Sequence, residues 1–125
     1  MCNNSGNCIS EILEKILLLQ RINNNKINGC NKPFLGELET QGANTRPINI
    51  YSCCTGNIWT MPYNYNSTAG ESTAFRIESI NENCATFRIL IPTDDGYTAT
   101  DNYFTIDLKY VSCIKCLQDS LISNI

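Results

Sequence analysis

The chain has 125 residues, of which eight are cysteine and none is histidine, and its 9 basic and 12 acidic residues give a net charge of −3. This length predicts a single domain with a hydrophobic core of its own. Without histidine, Ser-His-Asp and Cys-His catalytic pairs are excluded. The lack of any run of basic residues argues against a nucleic acid partner, and the lack of a long uninterrupted apolar segment argues against a membrane.

The first eight residues, MCNNSGNC, are polar and uncharged, which predicts a flexible leader that carries Cys2 and Cys8. They lack the positive charge that opens a signal peptide, and charged residues interrupt the apolar run behind them, so we expect no signal peptide. Many cysteines are nevertheless typical of proteins in oxidising compartments. Either the thiols bind metal in the cytosol, or they become oxidised at a later stage.

Residues 9–22, ISEILEKILLLQRI, carry apolar side chains at the spacing of an amphipathic helix. Ser10 is the expected N-cap of this helix. The apolar stripe is broad because Leu18 and Leu19 widen it. The helix therefore either packs on its own domain, which is the simpler interpretation, or docks on a neighbouring subunit.

Between residues 46 and 118, short segments rich in β-branched and aromatic residues alternate with turn-forming residues. This pattern predicts an antiparallel β domain. The fold class is therefore mainly β, an N-terminal α-helix followed by an antiparallel β-sandwich-like domain. The strands are expected near residues 47–53, 57–61, 73–80, 84–91 and 103–114, with long loops at 62–72 and 92–102.

The segment TAFRIESINENCATFRILI, residues 73–91, predicts a β-hairpin. A three-residue loop would place Glu78 opposite Arg88. The alternative register sets Arg76 opposite Arg88, which brings like charges together at a cost in stability. We therefore favour the first register.

The cysteine spacing gives weak support for metal or redox chemistry. Cys113 and Cys116 form a C-x-x-C pair, which is half of a usual zinc site, but no second pair of this kind occurs. Cys53 and Cys54 are adjacent, so on a strand they point to opposite faces. A redox C-x-x-C belongs at a helix N-terminus, whereas this one ends a segment with strand character. We expect no catalytic residue, no metal and no cofactor, with a small zinc-binding or thiol-redox module as the alternative.

Strand alternation divides the cysteines by direction, because side chains i and i+2 share a face. Cys54 shares parity with Ile50, and Cys116 shares parity with Phe104, so these two cysteines are expected to lean inward. The others lean outward or lie outside the strands, where they suit bonds between molecules, unless most are ordinary buried or free thiols. The candidates for disulfides between subunits are Cys2, Cys8, Cys30, Cys53, Cys84 and Cys113.

Five segments, taken together, carry a resemblance that spans most of the chain. They are NCISEILEKILLLQ (7–20), GANTRP (42–47), FRIESINENCATFRIL (75–90), FTIDL (104–108) and CIKCLQD (113–119). In this order they resemble the spore coat protein Y/Z family, which includes the exosporium basal-layer proteins of Bacillus. The cysteines in matching stretches are Cys8, Cys30, Cys84 and Cys116, with Cys2 as a looser match, whereas Cys53 and Cys54 have no assigned position in the family pattern.

The resemblance implies a structural, non-enzymatic protein that is made in the mother cell during sporulation and lies in the spore coat or exosporium. It implies self-assembly into a homo-oligomeric layer with hexagonal order, in company with other coat or exosporium proteins, hardened by disulfides between subunits. It also explains why many cysteines occur without a signal peptide, because the thiols can oxidise once the mother cell lyses. An adaptor that anchors other surface proteins or filaments to the spore shell is the alternative.

Overall fold

The computed structural model describes residues 7–24 and 43–125. Its first element is helix α1, Asn7–Asn24. Within the described residues seven strands follow, with a 3-10 helix, Leu108–Tyr110, between the last two. The strands are β1 (Ile48–Ser52), β2 (Met61–Tyr65), β3 (Thr68–Ser72), β4 (Ala74–Asn81), β5 (Cys84–Thr93), β6 (Gly96–Asp107) and β7 (Val111–Cys116).

Five strands form one antiparallel sheet in the order β6-β5-β4-β1-β7, and β2 and β3 form a separate hairpin. Strands β6 and β7 lie at opposite edges of this order, yet only the 3-10 helix joins them. Three residues of 3-10 helix advance about 6 Å, whereas a flat sheet of five strands is about 19 Å across. The sheet therefore curls. The fold is mainly β, with one N-terminal helix and antiparallel sheets packed together, which confirms the predicted class.

The main core lies between the curled sheet, α1 and the β2–β3 hairpin. Leu13 and Ile16 of α1 are buried with Phe75 and Phe87 of the sheet. The ring of Phe104 meets Phe75 edge-on at a centroid distance of 4.9 Å and stacks on Phe87 at 5.5 Å. Full burial of each large apolar side chain contributes about 1.5–3 kcal/mol, so packing on its own domain accounts for the position of α1.

The C-terminal tail, residues 117–125, closes a second and smaller core. Ile122 is buried beside Ala99. The Asn44 side chain donates to the Ile122 carbonyl at 3.0 Å and accepts from the Ile122 amide at 3.1 Å. Asn124 makes the same pair of hydrogen bonds with the backbone of Ala99, at 2.9 and 3.1 Å. The side-chain amides of Asn44 and Asn124 thus form the hydrogen bonds that a neighbouring strand would otherwise provide to these backbone N–H and C=O groups.

Two stretches predicted as loops contain strands. Residues 62–72 lie mostly in the β2–β3 hairpin, and β6 begins at Gly96, inside the predicted loop 92–102. The β2–β3 turn places Asn66 and Ser67 at φ values of 52° and 67°. Asparagine tolerates this left-handed conformation, and two such residues in succession make the tight turn that suits twisted strands. The many polar residues of the segment hid this turn.

Two further boundaries also differ from the prediction. The predicted strand 103–114 is broken because the Asp107 carboxylate accepts a hydrogen bond from the Lys109 amide at 3.0 Å, which caps the 3-10 helix. Helix α1 begins at Asn7, so Ser10 lies inside the helix and is not its N-cap. Residues 7 and 8 of the predicted leader are therefore helical.

The β4–β5 hairpin adopts the register that like-charge repulsion argued against. Arg76 stands opposite Arg88, and the predicted pairing of Glu78 with Arg88 is wrong. The Arg76 guanidinium donates to Thr45 Oγ1 at 2.9 Å and to Glu78 at 2.7 Å. Arg88 Nε donates to the Thr100 carbonyl at 2.8 Å. Separate acceptors for each guanidinium offset the repulsion, and two of them, Thr45 for Arg76 and the Thr100 carbonyl for Arg88, lie outside the hairpin.

Candidate functional site

Free cysteines lie on the helix, on strands and in a turn of the fold. Each free cysteine among the described residues is exposed: Cys8, Cys54, Cys84, Cys113 and Cys116. Cys53 differs from these five because it is half-buried, with its Sγ 3.5 Å from the Cys54 Sγ and 3.5 Å from the Lys109 carbonyl oxygen. Cys2 and Cys30 lie outside the described residues.

Cys54 lies in the turn that follows β1. The Cys54 amide donates a hydrogen bond to Ser52 Oγ at 3.2 Å. The turn closes when the Gly56 amide donates to the Ser52 carbonyl at 2.9 Å, with Gly56 at a φ of 76°. A positive φ favours glycine because it has no Cβ. This tight turn leaves the Cys54 side chain exposed.

Cys84 lies at the same end of the molecule as Cys54. The Cys53 amide donates to the Tyr110 carbonyl at 2.8 Å, and the Leu108 amide donates to the Asn83 carbonyl at 2.8 Å. The 3-10 helix therefore joins the turn after β1 to the turn that precedes Cys84. Two free thiols distant in sequence share one end of the fold.

Cys113 and Cys116 lie on β7, which is an edge of the sheet. Cys113 stands opposite Tyr51 and Cys116 stands opposite Ile48. Successive residues of a strand alternate between faces, so these two cysteines occupy opposite faces of the same strand. In an extended chain their Cα atoms are about 10 Å apart, which is too far for a bond between them.

Arg46 is a cation in the electrostatic surroundings of Cys116. Arg46 forms a two-point ion pair with Asp119, with Nε to Oδ1 at 2.8 Å and Nη2 to Oδ2 at 3.1 Å. The hydrogen bonds that Arg46 donates to Asp119 raise the pKa of Arg46, burial opposes that rise, and coulombic interactions with Asp119 and Cys116 add to it. Arg46 is thus near enough to Cys116 for an electrostatic interaction between the two side chains.

Cys8 lies in the first turn of α1 and is exposed. Its neighbour in that turn, Ile9, is buried in the core. The helix thus anchors the chain on the sheet and keeps this thiol at the surface.

Strand parity predicts that Cys54 and Cys116 lean inward, but both side chains are exposed. Strand parity cannot be extended to Cys54, because β1 ends at Ser52 and the cysteine follows in a turn. Cys116 does share the face of Ile48, but it ends an edge strand where nothing among the described residues covers it enough to bury it. Parity predicts a face, whereas burial depends on what covers that face.

The ion pair of Arg46 with Asp119 and the shared end of Cys54 and Cys84 escaped sequence reasoning. The first joins residues 73 positions apart, and no local pattern marks such a pair. The shared end of Cys54 and Cys84 depends on the 3-10 helix that interrupts the chain after β6. Asp107 was the sequence signal for this interruption, since an aspartate side chain often caps the turn that follows it.

The described parts of the chain contain neither a cluster of metal-binding side chains nor a helix suited to crossing a membrane. In residues 7–24 and 43–125, no three Cys, Asp or Glu side chains are grouped so that they could hold a metal ion. No helix in those same ranges combines the length and the apolar composition that crossing a membrane requires.

The comparisons with known proteins give a family. The family model described as spore coat protein Z matches residues 2–102, so Cys113 and Cys116 lie beyond the matched part. No curated protein matches the chain significantly, and no solved structure does so either. Because the match covers most of the sequence, the chain belongs to the spore coat protein Z family, and it is accordingly a structural protein of the spore surface.

Proposed function

We propose that this protein self-assembles into an ordered layer of the spore coat or exosporium, and that disulfides between molecules harden the layer. The family supplies the structural role on the spore surface. The observation that carries the cross-linking is that every free cysteine of the described residues is exposed. Its partners are copies of itself and other coat or exosporium proteins, and the proposed role is non-enzymatic.

For the two free thiols on β7, geometry favours bonds between molecules over a bond within one. A disulfide needs Cα atoms about 4.4–6.8 Å apart, and the strands hold their thiols rigidly. Cys113 and Cys116 cannot reach each other on β7, and Cys8 projects from the helix rather than from the sheet. A neighbouring molecule can bring a thiol to each of these positions without moving the backbone.

Exposed thiols on several elements also suit a layer rather than a dimer. A bond at one position joins two molecules and then stops, whereas bonds at two or more separated positions continue through the whole assembly. Noncovalent contacts have to place the molecules first, because a disulfide forms only between thiols held at the correct distance. The bonds then make an existing arrangement resistant to denaturants.

The test is to express the chain alone, oxidise it and image it by electron microscopy with and without reductant. We expect sheets that survive boiling in detergent and fall apart when a thiol reductant is added. Mixing isotope-labelled with unlabelled protein before oxidation distinguishes bonds between molecules, because only those yield mixed-label disulfide peptides.

The matched control replaces the five exposed free cysteines with serine: Cys8, Cys54, Cys84, Cys113 and Cys116. Since these side chains are exposed, circular dichroism should show an unchanged fold, while the boiling-resistant material disappears. Monomers whose disulfides all lie within one chain would contradict the proposal. Monomers that nevertheless join a layer made of another coat protein would instead indicate the adaptor.

A further inference from the structure

Strand β7 offers an open edge to another strand. It is the last strand in the sheet order, so within the described residues its backbone pairs on one side only, with β1. Most of its side chains are exposed, namely Ser112, Cys113, Lys115 and Cys116. An edge strand of this kind is a template for pairing with a further chain.

We propose that β7 pairs antiparallel with β7 of a second copy around a twofold axis, and that the two copies of Cys113 then form a disulfide. This inference rests on the proposed function, and it specifies the surface and the residue through which one contact of the layer is made. The occupant of the edge is a second copy because the same strand supplies both the open backbone and the thiol that would join it.

Charge and strand length disfavour two registers, and the position of the thiol selects among the remaining ones. In a twofold antiparallel pair, one residue faces its own copy. A pair centred on Lys115 brings like charges together, which is destabilising. A pair centred on Cys116 uses little of the strand, because the next residue, Leu117, donates its amide to Pro47 at 2.8 Å and so belongs to its own sheet. A pair centred on Cys113 lies in the middle of β7 and sets Lys115 opposite Val111.

The distances of a sheet suit the bond. Residues directly opposite each other in an antiparallel pair have Cα atoms about 4.5–5.5 Å apart, inside the range that a disulfide requires. Each thiol loses one proton and one electron as the sulfur–sulfur bond forms. A low-molecular-weight disulfide accepts both electrons and both protons, and is reduced to two thiols.

A twofold contact at β7 could also connect the repeating units of a layer. Twofold interfaces are closed, since the same patch is used by both molecules. A twofold contact at β7 can therefore join rings or rows that other surfaces build. In such a layer β7 contributes the link between units rather than the unit itself.

The sequence allows a direct test by peptide mapping. Lys109 and Lys115 flank Cys113, so trypsin releases it in residues 110–115, separately from Cys116. A disulfide between two copies of that peptide can arise only between molecules. The native chain is oxidised with oxidised glutathione, alkylated, digested and analysed by mass spectrometry. Cys84 is the internal control, because trypsin releases it in residues 77–88 and it is exposed but does not lie on β7.

We expect the 110–115 homodimer to exceed the 77–88 homodimer at least tenfold in the native protein, and the excess to vanish when oxidation is done in guanidinium chloride. Cys113→Ser should remove the first species, and Cys84→Ser should leave it unchanged. Equal yields of the two homodimers, or Cys113 joined to a different cysteine, would overturn the inference while leaving cross-linked layers intact. The absence of every bond between molecules would overturn both this inference and the proposed function.

Discussion

Strands β4 and β7 belong to the same sheet but have opposite surroundings. In β4, four successive residues are buried, from Ala74 to Ile77, so both faces of the strand are covered. In β7, Val111 is buried and Ile114 is half-buried, while the other residues are exposed. The centre of the sheet is therefore fixed by its own packing, whereas its edge remains available to other molecules.

The contrast shows how one sheet can serve stability and assembly without conflict. No cysteine lies on β4, and two lie on β7. Thiols at the edge can bond with neighbours without disturbing the core, and a rigid core keeps those thiols in position. Substitutions should accordingly affect folding at the centre and cross-linking at the edge.

The largest loss of stability is expected from Phe75→Ala. Phe75 is fully buried and packs on two other aromatic rings, so truncation should lower the free energy of unfolding by about 3–5 kcal/mol. Urea denaturation in the presence of reductant measures the change. Ile114→Ala on β7 is the control and should cost less than the roughly 2–5 kcal/mol of a fully buried Ile→Ala change, because Ile114 is only half-buried. Equal losses at the two sites would remove the distinction between centre and edge.

Arg76→Met should give the next largest effect. The substitution keeps a long side chain but removes the donors to Thr45, Glu78 and the carbonyl of Asn44. Leaving buried acceptors without a partner costs about 1–3 kcal/mol. Arg88→Met should cost roughly 1 kcal/mol, because Asp101, with which it forms an ion pair, is almost fully exposed. Thermal unfolding of the two variants side by side decides whether both arginines stabilise the observed register.

Asp119→Asn should have a smaller effect. It removes the charge that pairs with Arg46 while keeping the shape of the side chain. The pair is partly exposed, so we expect a loss of about 1 kcal/mol. The loss should shrink in 1 M salt, because salt screens charges that water reaches. An unchanged stability at low salt would show that the tail is held by Asn44 and Asn124 without help from this ion pair.

The smallest effect on folding is expected at the edge itself. Lys115→Ala on β7 should change the free energy of unfolding by less than about 0.5 kcal/mol, since the side chain is exposed and surface substitutions of this kind are nearly neutral. Chemical denaturation of the reduced protein provides the measurement. A loss above 1 kcal/mol would mean that β7 belongs to the core rather than to an open edge.

Much of the fold was predictable because it depends on local patterns. The spacing of Ile9, Leu13 and Ile16 predicted α1 and its buried face, and alternation predicted the strands of the β4–β5 hairpin. The β2–β3 hairpin was missed because its polar residues conceal a tight turn at Asn66 and Ser67. The candidate site was predicted as a set of cysteines, but the grouping of Cys54 with Cys84 was not.

The sequence by itself determined the class, the helix and the family, because side-chain periodicity and ordered motifs are properties of neighbouring residues. Only the tertiary structure decided the hairpin register and the exposure of Cys54 and Cys116. The register depends on acceptors at Thr45 and Thr100 that no local pattern places beside the arginines. The exposure depends on where a strand ends and on which strand stands at the edge of the sheet, and both are settled when distant segments pack together.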